Sequence, residues 1–340
     1  MSKIKVGILG ATGNVGQRFV QLFANHPWFE VAALAASEKS VGRKYKEVVH
    51  WNVSDSIPAG FADMIVGRCE PTLSVPLVFS ALDSTAAGDV EETFAKKGYA
   101  VISTASNHRM DKDVPMLIPE VNPGHLSLIK YQQKRWKSKG FIVVKPNCTT
   151  TGLCLALKPL HDAFCIKKVF VVSLQAVSGA GYPGVPSLDI LDNVVPYIKG
   201  EEEKMEQETL KILGDEKIAI TAHCNRVPVR NGHLECVTIE FAKKPGVSQV
   251  IKVLKNFKGL PQELGLPSAP KNPVIYREEQ DRPQPILDRD AGKGMVVTVG
   301  RVRKANVLDI SLTLLVHNTQ RGAAGGAVLT AELLHAKGFI

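Results

Sequence analysis

Three observations predict an α/β chain: a doubly wound parallel sheet followed by a second α+β domain with a mixed sheet. Short apolar strands and amphipathic helices alternate through the first third of the sequence. A turn with three evenly spaced glycines joins the first strand to the first helix. After Cys148 the texture changes to long alternating runs, which belong to wider strands with one face covered.

The elements follow in order. "IKVGIL" is a short apolar strand, and "NVGQRFVQLFANH" places Val15, Phe19, Leu22 and Phe23 on one helical face. "FEVAALAAS" and "PLVFSAL" read as buried strands, "DVEETFAKKG" as an amphipathic helix stopped at Gly98, and "YAVIST" as another strand. Beyond the cysteine, "GLCLALKPL" continues a helix. "KVFVVSLQAV", "LECVTIEFA", "GMVVTVGRVR" and "LDISLTLLV" read as the strands of the second sheet. Between two of them, Gly259 to Gly294 carries six prolines and is too long for a simple connection; it reads as a functional or interface-building loop. The expected boundaries are 1–147 and 148–318, with a C-terminal helix in 319–340 packing back on the first domain.

Composition narrows the class. The chain has 340 residues, 44% apolar and 22% charged, enough for two domains. No apolar run reaches the roughly 18–20 residues a bilayer span needs, and the N-terminus lacks the pattern of a signal peptide. Six cysteines without a CxxC pair do not make a disulfide framework, so a reducing, cytoplasmic setting is expected. A net charge of +9 fits nucleic acid or small anionic ligands equally. "KYQQKRWKSKG" packs five cationic residues into eleven, but it is short and isolated, and reads as a solvated surface segment.

"GILGATGNVGQR" sets Gly10, Gly13 and Gly16 at three-residue spacing between a strand and a helix. Such a turn lets backbone N–H groups approach a pyrophosphate, and the helix N-terminus favours the anion. The spacing is GxxGxxG where the usual dinucleotide fingerprint is GxGxxG, and the strand–turn–helix context carries the assignment to a Rossmann-type domain. Gly10, Thr12, Gly13, Asn14, Val15 and Gly16 are therefore cofactor candidates. The second strand ends in "AASEKSVGRK", where Ser37, Lys39, Ser40 and Arg43 suit a 2′-phosphate and point to NADP; Glu38 keeps NAD open if it turns inward.

"VVKPNCTTTGLC" opens a helix at Cys148. A thiolate is favoured at a helix N-terminus, Thr149, Thr150 and Thr151 offer caps, and the first-turn amides offer an oxyanion site. The other five cysteines lie in apolar or strand-like surroundings and read as inert packing. A nucleophile needs a base, and "HCNRVPVRNGHLECV" gathers Arg226, Arg230 and His233 in one segment. Zinc binding by His223, Cys224, His233 and Cys236 matches no common spacing, and no metal is expected.

"GATGNVG", "KPNCTTTG", "LQAVSGAGYPGV", "GEEEKMEQETLKIL", "RVPVRNGH" and "NTQRGAAGGAV" occur in this order. Together they make the chain resemble the aspartate-β-semialdehyde dehydrogenases of the archaeal and fungal-like branch, from about residue 3 to the C-terminus. The resemblance implies a nicotinamide-binding first domain and a second domain for catalysis and dimerisation. It implies Cys148 as nucleophile, His233 as acid/base and Gln175 as a positioning group. Arg226 is implied for a substrate carboxylate, Glu201 for its amine, and Lys204, Arg109 and Asn147 for phosphate, with Ser178 and Gly179 beside them. Three consecutive glutamates leave a one-residue slip open at Glu201. Ser80, Ala81 and Asn318 are implied for the cofactor.

The implied reaction is NADP-dependent reductive dephosphorylation of aspartyl phosphate, in the route to lysine, threonine, methionine and isoleucine, by a soluble homodimer or homotetramer acting without nucleic acid or membrane. The residue types agree: a thiolate adds to an aldehyde, hydride leaves, and phosphate displaces the thioester, with His233 taking and returning the proton. Malonyl-CoA reduction on the same scaffold and a non-catalytic dinucleotide sensor are the alternatives. Phosphate dependence separates the first, and an unreactive Cys148 marks the second.

Overall fold

The computed structural model describes residues 2–340. The chain divides into two compact units, 1–117 with 123–146 and 323–340, and 118–122 with 147–322.

The first unit is a six-stranded sheet, ordered β3-β2-β1-β4-β5-β6. Its strands are β1 (Ile4–Leu9), β2 (Phe29–Ala36), β3 (Val66–Arg68), β4 (Leu77–Ser80), β5 (Ala100–Ser103) and β6 (Phe141–Val144). Every pairing is parallel, so the strands need helical crossovers, supplied by α1 (Asn14–Phe23), α2 (Tyr45–Val48), α3 (Ser84–Lys96) and α4 (Ile129–Trp136). The strand order reverses at β1 and β4, the switch point where doubly wound folds bind ligands. β4, β5 and β6 are buried at every residue, which explains their continuous apolar runs. The outer edge of β6 is closed by residues 115–117, which bond Val144, and by Gln132 of α4: its Nε2 donates to the Ile142 carbonyl (2.8 Å) and its Oε1 accepts from the Ile142 amide (2.9 Å). The basic segment around α4 is otherwise a solvated face, with Arg135 paired to Asp113.

The second unit begins with α5 (Cys148–Phe164) and holds a six-stranded mixed sheet ordered β10-β11-β12-β9-β7-β8. Its strands are β7 (Ile166–Ala176), β8 (Ala219–Val227), β9 (His233–Phe241), β10 (Val274–Tyr276), β11 (Val297–Lys304) and β12 (Ile310–Val316). Its further helices are α6 (Ser187–Ile190), α7 (Glu201–Leu213), α8 (Val247–Asn256), α9 (Leu260–Glu263) and α10 (Pro285–Asp288). The proline-rich segment is thus a string of short elements, including the edge strand β10, rather than one loop. At the other edge, carboxylates of α7 take the free amides of β8: Glu202 accepts from Cys224 and Glu206 from Ala222. The segment 118–122 is fixed to this unit by a fully buried bidentate pair between Arg321 and Glu120.

The chain closes with α11 (Gly325–Ala336), part of the first unit, where Glu332 meets His26 Nε2 at 2.8 Å. Among the described residues, no helix is long and apolar enough to cross a membrane.

Candidate active site

In the first unit, the glycine turn is built by backbone contacts. Gly10 has φ +74°, and a Cβ on it would lie 2.6 Å from the Ala81 carbonyl oxygen. A Cβ on Gly16 would lie 2.2 Å from the Gly10 carbonyl oxygen, so no other residue fits. The turn is locked from outside: Ala11 N–H donates to the Ala35 carbonyl (3.0 Å), Ala81 N–H to the Leu9 carbonyl (2.9 Å) and the Tyr45 hydroxyl to the Ala11 carbonyl (2.9 Å). Gln17 holds the Thr12 carbonyl at 3.0 Å, and Asn14 Oδ1 accepts from Asn52 at 3.0 Å. Gly13 caps α1 without a side-chain bond, and no acidic residue stands in the first turn. The first-turn amides therefore face an anion without competition, which fits a dinucleotide pyrophosphate. Val15 follows in that first turn, and Ser80 is fully buried at the end of β4. Ser37 and Lys39 are exposed after β2, and Ser40 is buried. Glu38 pairs with Arg68 at 2.9 Å, an arrangement that does not turn it inward. Arg109 is buried in the same unit, with Nη2 donating to the Thr104 carbonyl (3.1 Å).

In the second unit, strand register assembles the chemistry. Cys224, Ser173, Glu235 and Leu314 are successive partners across β8, β7, β9 and β12, and all four are buried. Two residues along each strand, on the same face, stand Arg226, Gln175, His233 and Val316. Helix α5 lies on this face: a Cβ on Gly152 would touch Val316 at 2.7 Å and Glu235 Oε1 at 3.3 Å. The helix delivers Cys148 at its first turn, with Sγ 3.1 Å from His233 Nε2. The opposite ring nitrogen, Nδ1, accepts from the Ala176 backbone N–H at 3.0 Å. Burial, then the charges of Arg226 and His317, lowers the pKa of His233 to about 3. Arg226 Nη1 donates to the Ala176 carbonyl at 2.7 Å, and burial also lowers its pKa. Gln175 Nε2 donates to Ser173 Oγ at 3.3 Å.

Glycine is required over this centre. A Cβ on Gly179 would lie 2.9 Å from Arg226 Nη1 and 3.1 Å from His233 Cε1; one on Gly322 would lie 2.7 Å from the Cys148 Cβ. Gly322 and the Ala176 amide are site elements that motif reasoning did not single out. Both lie inside the quoted glycine-rich and "LQAV" segments, but backbone geometry, not residue chemistry, makes them matter.

Several expectations change in detail. The cap of α5 is Asn147, not the threonines: its Oδ1 accepts from the Thr149 amide (2.9 Å), because a cap precedes the first turn that Thr149–Thr151 occupy. Asn147 Nδ2 donates to Glu201 Oε2 (2.8 Å), and Glu201 Oε1 meets Lys204 Nζ (3.1 Å). Of the three glutamates, Glu201 is therefore the one beside the cysteine's turn, since Glu202 is used by β8. Asn318 accepts from the Gly232 amide (2.9 Å) and donates to Ser178 Oγ (2.8 Å), bracing two turns of this unit with one N–H and one lone pair of its amide still available. Cys165 and Cys236 are exposed, contrary to the packing role expected of them. Cys165 ends α5 at φ +57°, and Cys236 lies on the outward side of β9, where strand alternation places it. Cys154 and Cys224 are buried, and burial pushes the Cys224 thiol up to about 12. Among the described residues no cluster of potential metal ligands forms.

Fold and site define a two-unit oxidoreductase scaffold: a dinucleotide-type sheet joined in one chain to a cysteine–histidine centre. Family models match both parts, "Semialdehyde dehydrogenase, NAD binding domain" at residues 5–129 and "Semialdehyde dehydrogenase, dimerisation domain" at 157–321. The chain belongs to the aspartate-semialdehyde dehydrogenase family. It is 51% identical to the aspartate-semialdehyde dehydrogenase of Methanothermobacter thermautotrophicus over 98% of this chain and 99% of that one. It is 45% identical to that of Candida albicans over the full length of both. The crystal structure of the Candida albicans enzyme with NADP matches with a TM-score of 0.92, 43% identity and full coverage of both chains. That of aspartate semialdehyde dehydrogenase II from Vibrio cholerae, complexed with ASA, matches with a TM-score of 0.80 and 28% identity over 99% of each chain.

Proposed function

We propose that the chain interconverts L-aspartyl 4-phosphate and L-aspartate 4-semialdehyde, with NADP as the nicotinamide partner and a thioester on Cys148 as the intermediate. The observation that carries this reading is the half-buried thiol at the first turn of α5, 3.1 Å from His233, which stands in one buried row with Gln175 and Arg226. When bound, the nicotinamide supplies the hydride donor or acceptor. Gly10, Gly13 and Gly16 would hold its pyrophosphate; Ser37, Lys39 and Ser40 would hold the 2′-phosphate.

The chain's own residues do the rest. Cys148 attacks the carbonyl carbon, and α5's first turn favours both the thiolate and the oxyanion. Arg226 meets the substrate carboxylate with a guanidinium already fixed by the Ala176 carbonyl. Glu201, paired with Lys204, presents a carboxylate to the substrate amine, while Lys204 and Arg109 serve the phosphate. Gln175 orients the acyl group. The reading includes a cytoplasmic homodimer or homotetramer using a small phosphorylated substrate; the dimerisation description of the second family model supports self-association. The test is NADP reduction by aspartate semialdehyde with and without inorganic phosphate. Turnover that needs phosphate supports the reading; turnover that needs CoA instead, or none at all, rejects it.

A further inference from the structure

We propose that Glu208 of α7 is a positioning residue for Cys148: its buried carboxylate holds the backbone N–H of Asn147, and through that residue fixes the first turn of α5 and the aim of the sulfur. This deepens the reaction proposed above and rests on Cys148 being its nucleophile.

Asn147 is the residue from which the nucleophile hangs. It immediately precedes Cys148, caps α5 and is 7% exposed. Its Oδ1 accepts from the Thr149 amide, and its carbonyl accepts from the Thr151 amide (3.0 Å) and hydroxyl (2.8 Å). Those bonds belong to the turn itself and move with it. The two that reach Asn147 from outside the turn both come from α7. Glu208 Oε2 accepts from the Asn147 backbone N–H at 2.6 Å, and Glu201 Oε2 accepts from Nδ2 at 2.8 Å.

The helix period explains this convergence. Glu201, Lys204 and Glu208 stand at i, i+3 and i+7, on one face of α7. Glu202 and Glu206 stand on another face and take the amides of β8. Glu201 and Glu208 are two turns apart, roughly 10 Å along the axis, yet both reach the same residue.

Glu201 is a poor fixed point. It already meets Lys204, and the substrate amine proposed above draws on the same carboxylate. Glu208 is 2% exposed and has no part in the proposed substrate contacts. A carboxylate is costly to bury, and a hydrogen bond to one is roughly twice as strong as a neutral bond. A carboxylate that merely stapled α7 to α5 would serve anywhere along the helix. This one meets the residue beside the sulfur. The consequence for Cys148 is geometric. First-turn amides favour the thiolate and an oxyanion only while they point at them. A misplacement of about 1 Å in reacting groups costs on the order of a hundredfold in rate. Space is also short: a Cβ on Gly322 would lie 2.7 Å from the Cys148 Cβ, so the turn cannot shift without disturbing the cysteine.

The experiment compares Glu208→Gln with Glu208→Asp in the full-length protein. Glutamine keeps an acceptor oxygen at the same reach and loses the charge. Aspartate keeps the charge and falls short by one C–C bond, about 1.5 Å. Oxidation of aspartate semialdehyde is measured per folded molecule, with folding followed by circular dichroism. Glu208→Asp should lower kcat by on the order of a hundredfold and leave KM for the semialdehyde close to wild type. Glu208→Gln should stay within about tenfold of wild type, the scale of weakening one buried hydrogen bond. The pH midpoint for iodoacetamide alkylation, read by mass spectrometry at the Cys148 peptide, is a second readout that a merely structural role would not move. Glu208→Asp should raise it, because the amides that favour the thiolate turn away while the charge remains. Glu208→Gln should leave it at or below wild type, because a negative charge has gone. The proposal is overturned by an aspartate variant with wild-type kcat or with a midpoint at or below wild type. A glutamine variant as slow as the aspartate one, or a loss confined to KM, overturns it too. If Glu208→Asp does not fold, Glu208→Met keeps the volume without an acceptor and takes its place with the same expected kcat. Glu208→Gln still overturns the proposal by itself if it loses on the order of a hundredfold. The phosphate-dependent assay of the wild type judges the reaction separately. Alkylation needs no turnover, so the expected midpoints in a protein that fails that assay uphold the positioning role and reject the reaction.

Discussion

The glycine turn of the first unit and the catalytic row of the second solve the problem of placing ligand-binding groups in opposite ways. The turn uses seven consecutive residues, Gly10 to Gly16, and mostly their backbone. The row uses Gln175, Arg226 and His233, brought together by the register of β7, β8 and β9, with Cys148 delivered to it by α5. A local site survives changes in distant packing but tolerates no side chain where backbones touch. A non-local site tolerates small local changes but depends on every strand holding its place. Two of the buried histidines repeat the lesson. In both His26 and His233, Nδ1 accepts from backbone amides and Nε2 faces the working partner, Glu332 in one and Cys148 in the other. In the first unit the result is a structural clamp; in the second it is the proposed reactive centre.

The sharpest break in this comparison is at the nucleophile. Cys148→Ser should lower aldehyde oxidation by on the order of a thousandfold or more, because a hydroxyl without a strong base is a poor nucleophile. NADP binding, carried by the other unit, should stay nearly intact when measured by fluorescence titration. A variant that keeps a tenth of wild-type turnover would remove the cysteine from the mechanism.

Arg226→Ala comes next. Removing the guanidinium should raise KM for aspartate semialdehyde by on the order of a hundredfold, about 3 kcal/mol, the scale of truncating one partner in a buried charged contact. An unchanged KM in steady-state assays would move the carboxylate clamp elsewhere. Gly16→Ala tests the local site in return. Its Cβ would fall 2.2 Å from the Gly10 carbonyl oxygen, so the turn must open. NADP affinity should drop by roughly tenfold or more, while iodoacetamide still alkylates Cys148 at the wild-type rate. Loss of both together would show that the two sites are not separable.

That contrast also explains what the sequence made legible. Contiguity made the glycine turn and the PNC helix start readable, and the apolar runs located β1, β2, β4, β5 and four strands of the second sheet. β8 was not readable as a strand, because its inward residues are Ala222, Cys224 and Arg226, which leave no apolar alternation. β10 is three residues long inside a proline-rich stretch. Arg226 and His233 were identified by motif, yet their alignment with Gln175 in one row needed the register. Asn147 took the cap from the threonines because a cap must precede the helix, a matter of where the first turn begins. The Ala176 amide carries no residue signature at all, since every residue but proline has one.

The smallest expected effect probes the row beneath the catalytic one. Glu235 is fully buried, neither carboxyl oxygen has a hydrogen-bond partner, and burial raises its pKa well above the ordinary value. The sign of the linkage follows. Above the ordinary carboxylate range the unfolded chain has lost this proton while the folded chain keeps it. Stability therefore falls as pH rises, by about 1.4 kcal/mol per pH unit, until the folded group also ionises. Glu235→Gln copies the shape of the protonated acid and cannot ionise. It should leave KM and kcat close to wild type and flatten this part of the stability–pH curve. Thermal unfolding from about pH 5 to 8 should show the variant gaining on the wild type as pH rises. If the variant instead loses ground with rising pH, Glu235 is an ionised, partnered carboxylate.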